Sequence, residues 1–254
     1  MVKKWFGIAI VLLWGIFPVM VQAQAYTRDT GYAEALRRIE EARQTGATEL
    51  GLRWLNLANL PPEIGELTQL ETLDLYFNDL TTLPPEIGQL LALKTLDLES
   101  NELTTLPPEI GQLVALETLN LSRNPLTSLP PEIGQLSQLN ELNLCCNDLT
   151  SLPPEIGQLS QLKELDLCCN DLTSLPPEIG QLIQLEAIYL HSNELIALPP
   201  EIGQWSQLHL LSITHNQLAT IPPEISQLTL LEELDFNNNR LTSLPYEIVN
   251  MNRV

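Results

Sequence analysis

Hydrophobic and polar positions recur along this chain every 23 residues from residue 47 onward. In a clean copy Leu116, Leu119 and Leu121 alternate with polar residues and Asn124 follows. Then come Leu126, Leu129, Pro130, Pro131, Glu132, Ile133, Gly134 and Leu136. Copies begin at residues 47, 70, 93, 116, 139, 162, 185, 208 and 231. The Leu-x-Leu alternation has period two, which predicts a short strand with one buried face. The same strand in the next copy can only lie beside it, so a parallel sheet grows by one strand per copy. Leu-Pro-Pro-Glu-Ile then turns the chain. Its second proline suits the first position of a short helical turn, with the glutamate near the positive helix end.

A single copy cannot bury its own apolar face, so stability must come from stacking neighbours. Asn stands at the same place in copies two to nine, from Asn78 to Asn239. Inside an apolar ring it needs hydrogen bonds, and its amide can bond the backbone of adjacent turns as an internal ladder. The first copy carries Leu55 instead, which fits a terminal position with no preceding turn.

The residues before the repeats divide in two. Residues 1–25 hold Lys3 and Lys4, an apolar run from Trp5 to Val21 broken late by Pro18, and small residues around Ala23 and Ala25. That is the three-part pattern of a secretory signal cleaved after Ala23 or Ala25. The run's length also admits an uncleaved membrane anchor. Either way the remainder is exported: secreted, periplasmic or on the cell surface. Residues 26–46 predict a capping helix started by Asp29 or Thr30 and stopped at Gly46. Tyr32, Leu36, Ile39 and Ala42 fall on one face at helical spacing.

The repeat unit resembles the leucine-rich repeat family, pattern LxxLxLxxNxLxxLPxxIxxLxx, over residues 47–250. The LPPEIGQL variant is similar to the typical 23-residue class found in bacterial repeat proteins. The resemblance implies an α/β right-handed solenoid, or horseshoe, with a parallel sheet on its concave face and an N-terminal capping helix. It also implies protein binding as the usual activity. Nine repeats then fill residues 47–254. No GTPase, kinase or ligase domain follows them, and the ninth unit reaches Val254 without a polar cap, which predicts a frayed last turn, a partner-covered one, or a truncated gene product.

Charge narrows the function. Against 12 Lys and Arg stand 32 Asp and Glu, a net of -20. Phosphate binding needs a basic surface, so nucleic acid is excluded as a main ligand. Acids crowd the positions predicted to line the concave face, among them Asp74, Asp97, Glu99, Glu141, Glu164 and Asp166. Such a face should steer a cationic protein partner and lose strength with salt. The competing reading is that acidic repeats are simply soluble. Exposed aromatics are few. Trp54, Tyr76 and Phe77 sit side by side in the first two units, and Tyr189 lies on the seventh. Hot spots favour aromatic anchors rimmed by polar groups, so these join the candidate contact. The alternative is that the rings pack under the capping helix.

The four cysteines fall in two adjacent units: Cys145 and Cys168 at repeat position 7, Cys146 and Cys169 at position 8. His191 extends the position-7 row. Three readings stay open: an inert pair copied by repeat duplication, cross-unit disulfides, or a soft-metal site using Cys145, Cys168 and His191. No Ser/His/Asp-type motif, phosphate loop or cofactor motif is present, and paired carboxylates repeat along the sheet instead of converging once. An enzyme is not expected. A surface or glycan adhesin is the second functional alternative. Asn120-Leu121-Ser122 is a glycosylation sequon, meaningful in a eukaryotic secretory host.

Overall fold

The computed structural model describes residues 27–250. The signal or anchor expected in residues 1–25 and the last four residues lie outside them. Helix α1 (Arg28–Thr45) leads into nine three-residue strands. These are β1 (Glu49–Gly51), β2 (Thr72–Asp74), β3 (Thr95–Asp97), β4 (Thr118–Asn120) and β5 (Glu141–Asn143). Then follow β6 (Glu164–Asp166), β7 (Ala187–Tyr189), β8 (Leu210–Ser212) and β9 (Glu233–Asp235). They form one sheet in sequence order, each parallel to the next and in register, with Leu73 opposite Leu96 and Leu119 opposite Leu142. The central residue of each strand from β1 to β8 is buried, and its two neighbours face outward.

The opposite side is a row of five-residue 3-10 turns, such as Pro131–Gln135. Proline opens each of the first eight, because its fixed φ suits a helix start and it has no N–H to leave unpaired. Gly holds the fourth place of the first seven turns, where the next unit stacks closely, and Ser226 takes it in the eighth. A Cβ on Gly157 would sit 2.4 Å from the carbonyl oxygen of Glu178 in the next unit. Between sheet and turns lies a continuous aliphatic core. Trp205 replaces the usual Leu there, fully buried, and its indole Nε1 donates to the Ile179 carbonyl at 2.9 Å.

The Asn ladder forms as the sequence predicts. Asn147 Nδ2 donates to the carbonyls of Leu121 and Leu144, both at 3.0 Å, and its Oδ1 accepts from Leu126 N at 3.1 Å. Leu55 is buried beneath α1, against which Gly31 packs so closely that a Cβ would meet the Leu55 carbonyl at 1.8 Å.

Two expectations about α1 are corrected. Its N-cap is Thr27, which exchanges hydrogen bonds with Thr30 in a capping box, not Asp29 or Thr30. Its buried face is Gly31, Ala35, Ile39 and Ala42, with Tyr32 and Leu36 at the margin. The close approach to Leu55 leaves no room for a side chain at Gly31. Gly46 does stop the helix, in the left-handed conformation at φ 67°.

Candidate functional site

The concave face is built from the two outward residues of each strand and the segment just after it. Asp or Asn at the end of a strand has a local task. Asp74, Asp97, Asn120, Asn143 and Asp166 each accept from the backbone N–H two residues on, at 2.9–3.1 Å. These Asx-type turns end the strand and lead into a left-handed residue. That residue is at position 8 of every unit, including Trp54, Phe77, Cys146 and Cys169, with φ of 53–63° throughout. Neither feature was singled out from the sequence, although the recurrence of Asp and Asn at the strand end carried the signal.

The candidate contact residues separate into distinct groups. At the N-terminal end the three rings come together. Trp54 and Phe77 stack with centroids 4.0 Å apart, and Tyr76 meets Trp54 edge-on at 5.4 Å. Trp54 remains 51% exposed and Phe77 45%, so the patch faces solvent and is not consumed by the capping helix. Asp74 beside it is paired with Arg53. Asp97 and Glu99 follow. Burial raises the Asp97 carboxyl above the usual range, and Asp74 and Glu99 push it further. Glu99 receives Asn120 Nδ2 at 3.1 Å and lies 3.6 Å from Arg123.

The third group is central. Glu141 pairs in register with Glu164, and Asp166 ends the same strand as Glu164, opposite Tyr189. Among the described residues no Lys or Arg lies within ion-pair distance of Glu141, Glu164 or Asp166. The Glu164 carboxyl is raised by partial burial first, then by Glu141 and Asp166. Tyr189 is raised by burial and by Glu164, Asp166 and Glu233. With Thr118, Asn120 and Asn143, these acids line a shallow depression of about 170 Å³. Its near edge, at β4, lies two strand spacings, roughly 10 Å, from the unit that carries Tyr76 and Phe77.

The four cysteines are free thiols. Cys145 and Cys168 do come together, but the third member of their cluster is Cys169. The Sγ atoms of Cys145, Cys168 and Cys169 lie within 4.8 Å of one another. His191 is not part of that set, which corrects the expected Cys145, Cys168 and His191 grouping. Cys169 directly follows Cys168 and has a left-handed backbone, at φ 54°.

Comparison with known proteins accords with this geometry. A leucine-rich repeat region model matches residues 85–169, and a leucine-rich repeat model matches residues 69–90, 161–182 and 230–251. No curated protein sequence matches the chain. A leucine-rich repeat protein of Leptospira interrogans superposes with a TM-score of 0.75 at 43% identity, over 84% of this chain and 60% of that one. This chain therefore spans less than two thirds of that relative. The ectodomain of the Arabidopsis thaliana membrane receptor kinase GASSHO1/SCHENGEN3, solved with Casparian strip integrity factor 2, gives a TM-score of 0.68 at 35% identity. That match covers 76% of this chain and 24% of the other. The plant peptide hormone receptor RGFR1, solved with RGF2, gives 0.58 at 29% identity, over 82% and 42% of the two chains.

Proposed function

The chain belongs to the leucine-rich repeat proteins, of bacterial type, and on that premise we propose that it is an exported module that binds a protein partner with a basic surface through its concave face. The observation that carries this reading is the unpaired, in-register cluster of Glu141, Glu164 and Asp166 beside Tyr189. Like charges crowded without a counter-ion are costly in the free protein and are relieved by a partner's Lys or Arg. Asn120 and Asn143 make the same turn that Asp166 makes, so the turn itself does not require the negative charge. The exposed Trp54–Phe77 stack supplies an apolar anchor at the other end of the face. The two plant receptors are solved with peptide or protein ligands, which supports the same class of activity here. The apolar run and small residues of residues 1–25 support export.

The test is capture by the full chain at low and at high salt. A Glu141→Gln/Glu164→Gln/Asp166→Asn variant runs beside it, with Trp54→Ala/Phe77→Ala as a second arm. The expected result is a partner held at low salt, released at high salt, and lost with the neutralised variant. Equal capture in every arm would overturn the concave-face reading.

A further inference from the structure

We propose that Cys145, Cys168 and Cys169 form a site for a soft d10 metal ion, Cu(I) or an ion of the zinc group, held by three sulfur ligands. The three Sγ atoms lie within 4.8 Å of one another. Metal–sulfur bonds of about 2.3 Å around one ion put three sulfurs about 4 Å apart, so small side-chain rotations close the site. Cys146 adds a fourth sulfur 3.2 Å from Cys145.

The fold explains why a surface that ordinarily splays its side chains converges here. In-register stacking of units places Cys145 beside Cys168, just after the paired strands β5 and β6. The left-handed turn at Cys169, φ 54°, then prevents the alternation that would send it to the opposite side of Cys168. Cys168 is buried, Cys145 half-buried and Cys169 exposed, which gives the site a floor and an open mouth. The donor set is entirely sulfur, and thiolates select Cu(I) and zinc-type ions over magnesium or calcium. Cysteine binds such an ion as the thiolate, so binding exchanges protons for the ion. Three S–H bonds release their protons to water, three metal–sulfur bonds form, and no electron is transferred. Asp166 adds negative charge next to the incoming cation. The site does not depend on the partner-binding reading and stands or falls separately from it.

The full chain, reduced and kept from air, is titrated in one arm with Cu(I) against a competing chelator. In the other arm it is titrated with Cd(II), a zinc-group probe whose thiolate bonds absorb in the ultraviolet. One ion per chain is expected in at least one arm. Cys145→Ser and Cys169→Ser should each weaken binding by about tenfold or more, the scale on which metal sites respond to lost support, and His191→Ala should leave it unchanged. Cys169 is exposed, so its variant tests the site without risk to the core. Failure of both ions to bind would overturn the proposal. So would binding that survives Cys169→Ser or is lost in His191→Ala.

Discussion

At the level of single residues, the concave acids divide by what their neighbours ask of them. Asp166 closes a turn by accepting from Cys168 N at 2.9 Å, a task Asn143 performs as well one unit earlier. Glu164 has no such task, and its carboxyl is held above its ordinary 4.5 by partial burial and by Glu141 and Asp166. The folded state then binds that proton more tightly than the unfolded state, so ionisation of Glu164 costs stability as pH rises past 4.5. Glu164→Gln should raise the melting temperature at pH 7, and the gain should disappear below pH 4.5, in paired thermal melts. The same variant should weaken partner capture, the trade expected of a residue kept for binding. The Asn ladder answers to the opposite logic. Asn147→Ala leaves Leu121 O, Leu144 O and Leu126 N without a side-chain partner. A loss of about 3 kcal/mol in urea unfolding is expected from the buried groups left unsatisfied. The ladder was legible because a lone Asn at a fixed place in an apolar ring has few alternatives. The Asx turns were not, because Asp at an outward position looks like a surface charge until its backbone partner is visible.

Among the elements, α1 shows where periodicity stops being sufficient. Helical spacing predicted its existence and its stop at Gly46, yet assigned Tyr32 and Leu36 to a face that Gly31 and Ala35 occupy. The deciding fact is the contact of Gly31 with the Leu55 carbonyl, a feature of docking distance that no single-chain pattern encodes. Gly31→Ala should therefore lift the helix. Hydrogen exchange should show protection lost across α1 while the amides of β4–β6 keep theirs. The helix is also tied to the solenoid through Arg38, whose Nη1 donates to the Gly51 carbonyl at 2.9 Å while its Nε holds Glu34 at 2.7 Å. Hydrogen bonds from Arg37 and Arg38 lower the Glu34 carboxyl to about 2. A lowered carboxylate contributes its stability above the ordinary 4.5 and loses it as pH falls through about 2. Glu34→Gln should accordingly speed exchange in α1 at pH 7 and match the parent at pH 2.

Over the whole molecule, a repeat that pairs residue with residue 23 positions on leaves little to tertiary accident, so the solenoid and its parallel sheet were readable from spacing alone. The cysteine cluster and the central carboxylates were only half readable. Their members come from successive units, and which side chains converge depends on the left-handed turn at position 8. Net charge acts at the same scale. A chain of -20 with an isoelectric point near 4.3 repels itself when compact. Its surface ion pairs, such as Lys94–Glu71 and Lys163–Glu186, contribute little each. Salt shortens the reach of that repulsion, with a Debye length of about 10 Å at 0.1 M, comparable to two strand spacings. Added sodium chloride should therefore raise the melting temperature over the same range in which it weakens binding of a basic partner. Thermal melts and affinities measured on one salt series give the two signs directly. Opposite signs locate both effects in the same field. Affinity that holds steady while stability climbs would mean that the partner contacts the solenoid somewhere other than its acidic concave face.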